Sequence, residues 1–203
     1  MSIYDRISPI YDWLIISERP FRERALQLLD LQSGNCIVDL GCGTGQSLPE
    51  MAAAVGEKGQ VIGLDLSPGM LHQSRKKLGQ GRVSLLRGTA LKLPLEAHSC
   101  DALFMSFTLE LFDLEEQHQL LAEVRRVLKE NGRIGLVTLS THTPTLMLLL
   151  YTSLHEIMPA VIDCRPLDTA PLLTTAGFVV LQQEQQSMFG LPLSIMVAEK
   201  KNN

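Results

Sequence analysis

A glycine-rich segment is the part of the sequence whose residue types and spacing best suit ligand binding. Gly41, Gly43 and Gly45 form a G-x-G-x-G pattern within VDLGCGTG, between an apolar run of strand length and a helical pattern. Glycine leaves the main chain bare and tolerates positive φ, so a nucleoside-bearing ligand can approach the backbone there. A strand-to-helix turn of this kind lies at the carboxyl edge of an open α/β sheet, where such folds bind ligands.

Two carboxylates near this glycine loop indicate the kind of ligand. Asp39 directly precedes the loop, where it would repel phosphate but suits an ammonium group such as that of a methionine moiety. Gln46 replaces the glycine of a dinucleotide fingerprint, so pyrophosphate binding is disfavoured. Asp65 ends the next strand-like run, about 20 residues past the loop, where a carboxylate can bind vicinal ribose hydroxyls. We expect Asp65 to be free for this role because Ser67 can cap the following helix, although a ligand-free turn and a capping or solvated Asp65 remain alternatives.

Strand-length apolar runs alternate with helical patterns, and this order predicts a parallel sheet with crossover helices. The expected strands are Cys36 to Leu40, Val61 to Asp65, Val83 to Leu86, Asp101 to Phe107 and Arg133 to Leu139. Helices are expected at Leu48 to Val55, Met70 to Leu78 and Glu116 to Leu128, with a capping box at Ser47-x-x-Glu50 and an N-cap at Ser67 before Pro68. The runs Phe178 to Gln186 and Leu193 to Glu199 predict a closing antiparallel hairpin.

Composition and charge exclude several classes of function. A length of 203 residues predicts one domain spanning residues 1–203, and a net charge of -4 without a basic face argues against nucleic acid as a partner. No signal peptide or bilayer-length apolar stretch is expected, which predicts a cytoplasmic protein without stable membrane insertion and leaves peripheral contact open. The four cysteines show no C-x-x-C spacing, so no metal site is predicted. The sequence does not indicate an oligomeric state.

Four segments resemble, in order, the successive motifs of class I S-adenosylmethionine-dependent methyltransferases: VDLGCGTG, VIGLDLSPGML, GTALKLPLEAHSCDALF and LAEVRRVLKENGRIGLV. Within that class, YDRISPIYDW and LPLEAHSCD are most similar to the ubiquinone/menaquinone-biosynthesis methyltransferases and their small-molecule relatives. The resemblance implies an α/β, Rossmann-like fold with a seven-stranded, mostly parallel sheet, a C-terminal antiparallel hairpin and helices on both faces. It also implies S-adenosylmethionine as cofactor and a small acceptor, apolar or amphipathic, that is quinone-like or another small molecule.

The resemblance further implies which residues bind the cofactor. By position these are Tyr11, Asp39, Gly41, Gly43, Gly45, Asp65, Leu66, Thr89, Ala90 and Ser106. Leu66 is expected beside adenine, Ser106 near the methionine end, and Tyr11 resembles an N-terminal tyrosine that folds over the cofactor. Thr89 replaces an aspartate that usually accepts from the adenine amine, so a weaker contact or one through the Ala90 amide is expected. The quinone enzymes typically show an Arg-Asn pair where this chain has Phe107 to Leu111, so other acceptors stay open.

The acceptor is expected near the irregular segment Thr141 to Pro171, which interrupts the pattern after the fifth predicted strand. Within it, Thr145 to Ile162 is rich in Leu and Met and could form either a lid over an apolar acceptor or a core helix. Methyl transfer chiefly requires alignment, so a general base is optional. Candidate bases are His155, Asp163 and Glu110, with Tyr151 and Arg165 orienting the acceptor.

Other functions remain open at this stage. One is an NAD-dependent oxidoreductase, which Gln46 opposes, and another is a non-catalytic methyltransferase-like protein that binds cofactor or a partner subunit. Within methyl transfer, a phospholipid or arsenite could be the acceptor. Arsenite would require thiols that converge on the site.

Overall fold

The computed structural model describes residues 17–78, 83–142, 145–157 and 164–201. The strands are β1 (Cys36–Leu40), β2 (Gln60–Asp65), β3 (Val83–Arg87), β4 (Cys100–Ser106), β5 (Leu128–Leu139), β6 (Phe178–Met188) and β7 (Leu191–Lys200). The helices are α1 (residues 17–29), α2 (Leu48–Val55), α3 (Pro68–Leu78), α4 (Leu114–Val127), α5 (Leu146–Ile157) and α6 (Thr169–Thr175), with a 3-10 turn at Leu109–Leu111.

The strands form a seven-stranded sheet in the order β3-β2-β1-β4-β5-β7-β6. Strands β1 to β5 are parallel to one another, whereas β7 is antiparallel to both β5 and β6. The predicted Rossmann-like sheet with a C-terminal antiparallel hairpin is therefore confirmed. The strand order reverses between β1 and β4, and open α/β sheets bind ligands at the carboxyl edge beside such a reversal.

Helices cover both faces of the sheet because successive residues of the central strands are apolar on both sides. Ile37 of β1 packs with the face covered by α1 and α2, while Val38 and Leu40 pack with the face covered by α4 and α6. Each face has its own buried apolar cluster. These two clusters fix β1 and β4 in the middle of the molecule, so that their carboxyl ends emerge side by side.

Of the two helix caps predicted from the sequence, the structure confirms the one at Ser67 and not the one at Ser47. The Ser67 Oγ accepts a hydrogen bond from the Met70 amide at 3.3 Å, which confirms Ser67 as the cap of α3. The capping box predicted at Ser47 is wrong, because Ser47 has helical backbone angles and its side chain makes no capping bond. An N-cap normally needs an extended backbone, and the turns of the glycine loop leave Ser47 already helical. Helix α4 starts earlier than predicted because Asp113 forms a capping box with Glu116.

The described residues of segment 141–171 are more regular than the sequence indicates. Residues 146–157 form α5, and Leu167 makes a parallel bridge with Ser140 at the end of β5. Strand β5 also begins at Leu128 rather than at the predicted Arg133, because Leu128 pairs with Cys100 of β4 across a register shift. In the part of the chain that the structure describes, no helix is long and apolar enough to cross a membrane.

The two aspartates at helix starts provide a matched test of the fold. Asp113 accepts from the Glu116 amide at 2.9 Å, whereas Asp168 precedes α6 without a side-chain capping bond. We expect Asp113→Ala to lower the free energy of unfolding by about 1 kcal/mol and Asp168→Ala to change it by less than about 0.5 kcal/mol. Urea unfolding followed by circular dichroism measures both. Equal losses would show that the bond at Asp113 does not stabilise α4.

Candidate cofactor and acceptor site

The glycine loop between β1 and α2 lies so close to its neighbours that side chains do not fit at Gly41 and Gly45. Gly41, Gly43 and Gly45 have φ angles of 71°, 52° and 76°, in the left-handed region that favours glycine. A Cβ atom on Gly41 would lie 2.5 Å from the Thr108 Oγ1, and one on Gly45 would collide with the Ser74 Oγ. The loop backbone is therefore held between the end of β4 and α3, and its upper side is left for a ligand.

Hydrogen bonds fasten this loop to the end of β2. The amides of Gly41 and Cys42 donate to the Leu64 carbonyl at 2.8 and 3.1 Å. The Gly43 amide donates to the Asp65 Oδ2 at 2.8 Å, and the Ser67 amide donates to the Asp65 Oδ1 at 2.8 Å. Ser67 caps α3, as expected, but the Asp65 carboxylate is not free, because it already bonds both the loop and the chain leading into α3. Each oxygen keeps a further lone pair, so ribose hydroxyls can still bind there.

Asp39 lies beneath the loop and not at its surface. Its side chain belongs to a residue that is only 4% exposed. Burial raises the pKa of Asp39 to about 8; the charge of Asp65 adds to this rise, while Arg22 opposes it. An ammonium group bound above the loop would favour the ionised form of Asp39.

Two residues of α1 that the sequence pattern does not identify, Glu18 and Arg22, pair with each other, and Arg22 lies near enough to Asp39 to feel its charge. Arg22 is buried, and its Nη1 donates to the Glu18 Oε2 at 2.9 Å. Burial also raises the pKa of Glu18 to about 7, although Arg22 acts against that rise. The sequence signal for the Glu18–Arg22 pair is its four-residue spacing. Arg19 and Glu23 of the same helix have the same spacing, but that pair is exposed to solvent. The pattern alone therefore could not identify the buried pair.

The residues expected around adenine meet at the ends of β2 and β3. Leu66 is 66% exposed, which is unusual for leucine and leaves its side chain available to a flat ring. The Thr89 hydroxyl accepts from the Leu91 amide at 3.2 Å, and Ala90 is buried. Thr89 thus already shapes its own turn, but a hydroxyl oxygen can accept a second hydrogen bond.

At the end of β4, Ser106 supplies a buried polar atom that a ligand could satisfy. Its Oγ has no hydrogen-bond partner among the described residues. Buried hydroxyls usually have a partner, so a ligand or a water molecule is expected here. The next residues fix the position of this end, because the Thr108 Oγ1 donates to the Leu40 carbonyl of β1 at 3.2 Å. Tyr11, also predicted to bind cofactor, lies outside the described residues.

The predicted acceptor residues divide into a buried and a peripheral group. Glu110 is fully buried, its Oε1 accepts from the Leu139 amide at 2.8 Å, and its carbonyl accepts from the Arg165 amide at 3.3 Å. The side chain of Arg165 is exposed. His155 is on α5, but its side chain is outside the described part of the chain, as is the whole of Asp163.

Beside these residues lies a group of aromatic and sulfur-containing side chains that we call the acceptor cluster: Phe21, Phe107, Tyr151, Cys164 and Met188. Met188 is buried, and the other four are partly exposed and pack against the buried ends of β5 and β7. The Tyr151 hydroxyl donates to the Cys164 carbonyl at 3.0 Å, which ties α5 to segment 164–167. Phe107 directly follows β4, so the cluster and the glycine loop are at the same edge of the sheet.

Comparison with known proteins decides the family. The family model described as "Methyltransferase domain" matches residues 37–132, from β1 into β5. The demethylmenaquinone methyltransferase of Bacillus cereus is 33% identical over 153 residues, covering 71% of this chain and 63% of the relative. The chain belongs to the class I S-adenosylmethionine-dependent methyltransferases. The predicted family and its cofactor, S-adenosylmethionine, are thereby confirmed.

Solved methyltransferases have the same fold. An S-adenosylmethionine-dependent methyltransferase from Aquifex aeolicus matches with a TM-score of 0.67 and 24% identity, covering 88% of each chain. The geranyl diphosphate C-methyltransferase of Streptomyces coelicolor A3(2) matches with a TM-score of 0.73 and 16% identity, covering 90% of this chain and 80% of that one. The chain spans 63% of the length of this Bacillus relative.

Asp65 is predicted to hold both the loop and the cofactor. Losing hydrogen bonds to a charged acceptor costs about 1.5 to 3 kcal/mol each, so Asp65→Ala should weaken S-adenosylhomocysteine binding at least tenfold. Exchange of the Gly43 amide hydrogen should also become faster without ligand, because its acceptor is removed. Calorimetry and hydrogen-exchange NMR measure the two effects, with Asp30→Ala, an exposed acid before β1, as control. An unchanged dissociation constant would assign Asp65 to the fold alone.

Proposed function

We propose that this methyltransferase transfers the methyl group of S-adenosylmethionine to a small, apolar or amphipathic acceptor with a flat or isoprenoid body. One observation carries the proposal: the glycine loop with its two aspartates and the acceptor cluster lie at the same edge of the sheet. The cofactor residues suit an adenosyl group and an ammonium, whereas the cluster offers aromatic and sulfur-containing surface. A cofactor held above the loop would therefore place its methyl group towards the cluster.

The acceptor cluster favours binding by apolar burial. Apolar surface contributes about 25 cal/mol per Å² on leaving water, and ligand sites of this kind use a few polar groups for orientation. Phe107 and Tyr151 supply aromatic faces, and the methionine side chain of Met188 adapts to irregular shapes. Arg165 at the rim would fix a polar end of the acceptor, as predicted from the sequence.

Helix α5 has the exposure expected of a lid. Met147, Leu149 and Leu150 are 45%, 61% and 51% exposed, while Leu148 is buried. The Thr145 Oγ1 donates to the carbonyl of Gly190 in the β6–β7 turn at 2.9 Å, which anchors the start of the helix. A core helix would bury such a leucine-rich face, so this exposure supports the lid interpretation.

The chemistry requires alignment more than a strong base. The acceptor nucleophile attacks the methyl carbon in line as the carbon–sulfur bond breaks, and S-adenosylhomocysteine leaves with the bond pair on sulfur. Correct orientation of the two reactants can supply roughly 7 to 11 kcal/mol of the barrier. Glu110 is fully buried and accepts from the Leu139 amide, which favours a positioning role over the predicted role as base. If the acceptor carries a phenol or an acidic carbon, His155 and Asp163 remain the candidate bases.

The related proteins support an acceptor of this class. One is named as a demethylmenaquinone methyltransferase, and the Streptomyces structure contains geranyl diphosphate with S-adenosylhomocysteine. The absence of the Arg-Asn pair after β4 leaves room for an acceptor other than a quinone. Arsenite is less well supported, since Cys36 and Cys100 stand at the amino ends of β1 and β4, away from the loop.

Product partition tests the proposed acceptor class. We expect the protein, incubated with methyl-labelled S-adenosylmethionine and fractionated cell extract, to label a product that enters the organic phase. The extract without protein and the Asp65→Ala variant serve as controls. Label confined to nucleic acid or to protein would overturn the proposal, and so would a labelled product that stays in water.

Polar groups at the rim should affect turnover and not cofactor binding. We expect Arg165→Ala and His155→Ala each to lower methyl transfer to the identified acceptor at least tenfold, about 1.4 kcal/mol of transition-state stabilisation. Their dissociation constants for S-adenosylhomocysteine should stay within about twofold of wild type, a difference of about 0.4 kcal/mol. Arg24→Ala, which removes an exposed ion pair with Glu184, is the matched control. Wild-type turnover in both variants would place the acceptor elsewhere.

A further inference from the structure

Beneath the glycine loop lies a group of three charged residues that we call the loop-side cluster: Glu18, Arg22 and Asp39. Arg22 and Asp39 are 8% and 4% exposed. Arg22 donates to Glu18 at 2.9 Å, and it lies close enough to Asp39 for each to feel the charge of the other. Two carboxylates therefore share the field of one guanidinium in the interior of the protein.

The apolar stripe of α1 explains why Arg22 is at this place. Ala25, Leu26 and Leu29 are buried in the cluster that also contains Ile37 of β1. Arg22 is three, four and seven residues before them, so it lies on the same side of the helix. The packing of α1 on the sheet thereby directs Arg22 inward beside the carboxyl end of β1. Arg19, about one turn earlier and beyond the start of the apolar stripe, is exposed to solvent.

Stability alone does not account for this arrangement. Burying an ion pair costs several kcal/mol of desolvation per ion, and apolar replacements are often neutral or stabilising. Arg19 and Glu23 have the same four-residue spacing and form an exposed ion pair. Helix α1 can therefore hold an ion pair of this kind without burying it. A buried arginine next to the acid that precedes the glycine loop is better explained by a requirement of the site.

We propose that Arg22 is a positioning residue for the cofactor. Held by Glu18, Arg22 keeps the Asp39 carboxylate beneath the glycine loop, where that carboxylate receives the ammonium group of S-adenosylmethionine. This inference rests on the proposed cofactor site. With both acids ionised the cluster carries one net negative charge, which the arriving ammonium complements. Arg22 thus has two effects: it holds the carboxylate in place and makes its ionisation less costly.

The charges that face the cluster determine how binding depends on pH. Asp65 of β2 and the Cys42 thiol of the glycine loop face Asp39. Arg19, Glu23 and the α2 residue Glu50 face Arg22 from the outside. Burial raises the pKa of Asp39 to about 8 and that of Glu18 to about 7, so a proton is held in the cluster near neutral pH. The ammonium of the cofactor must displace the proton on Asp39. Cofactor affinity should therefore weaken as the pH falls through about 8.

Opposite shifts in two variants test the role of Arg22. We would titrate S-adenosylhomocysteine, which keeps the ammonium, by calorimetry from about pH 6 to about pH 9.5, since linkage moves with the pKa of Asp39. In Arg22→Gln the carboxyl group loses its cation, so the midpoint of the affinity profile should move to higher pH, with at least tenfold weaker binding near pH 7.5. In Glu18→Gln the guanidinium acts on Asp39 alone, so the midpoint should move to lower pH. Arg22→Lys should restore most of the affinity, and the exposed Arg19→Gln should match wild type.

The Asp39→Asn background separates positioning from a structural effect. There, Arg22→Gln should add less than about twofold to the loss, because the group on which Arg22 acts is absent. An equal loss at every pH, without opposite shifts in the two variants, would overturn the inference, as would an undiminished effect of Arg22→Gln in the Asp39→Asn background. If Arg22→Gln does not fold, Glu18→Gln and Arg22→Lys decide alone. Failure of the wild type to bind S-adenosylhomocysteine at any pH would instead overturn the proposed function.

Discussion

The attachment of the glycine loop to the end of β2 is the interaction on which the rest of the site depends. One carboxylate, Asp65, accepts the Gly43 amide and the Ser67 amide, and the Leu64 carbonyl accepts two further loop amides. Because these bonds pull the loop onto β2, its other side comes against Thr108 at the end of β4. No side chain fits at Gly41 against Thr108 or at Gly45 against Ser74, whereas the space around Gly43 is open. The G-x-G-x-G pattern therefore follows from close packing at Gly41 and Gly45, and from the positive φ of all three glycines.

The same attachment brings Asp39 and Asp65 close together, so a nearby positive charge is needed to offset their negative charges. Asp39 is buried under the loop, and both its burial and the charge of Asp65 nearby raise the cost of ionising it. A cation must offset them, either from the protein or from the ligand. Arg22 supplies the first, and an ammonium of the cofactor would supply the second. A dinucleotide would bring phosphates to this place and increase the repulsion.

Much of the fold could be predicted because it depends on local patterns. Apolar runs identify the central strands, and the closing hairpin follows from two strand-like runs on either side of a turn at Gly190. The errors have tertiary causes. Leu128 joins β5 because it meets Cys100, and Ser47 fails as a cap because the attached loop leaves it already helical.

In the site, too, the residues marked by local spacing could be predicted, and the contacts that depend on tertiary packing could not. The glycines and both aspartates were recognisable from spacing, whereas the amide bonds of Asp65 depend on two strands lying side by side. Arg22 could not be told from Arg19, since both pair with a glutamate four residues away and only packing against β1 separates them. Glu110 likewise reads as a candidate base until its burial against Leu139 is seen.

The central claim is that this loop and its acids select a sulfonium cofactor over a dinucleotide. Calorimetric titration of the purified wild-type protein with S-adenosylmethionine and, separately, with NAD at matched concentrations and at about pH 8.5, above the pKa of Asp39, tests it most directly. The structure predicts saturable binding of one S-adenosylmethionine per chain and no measurable heat from NAD. Binding of NAD as tight as, or tighter than, that of S-adenosylmethionine would contradict the account.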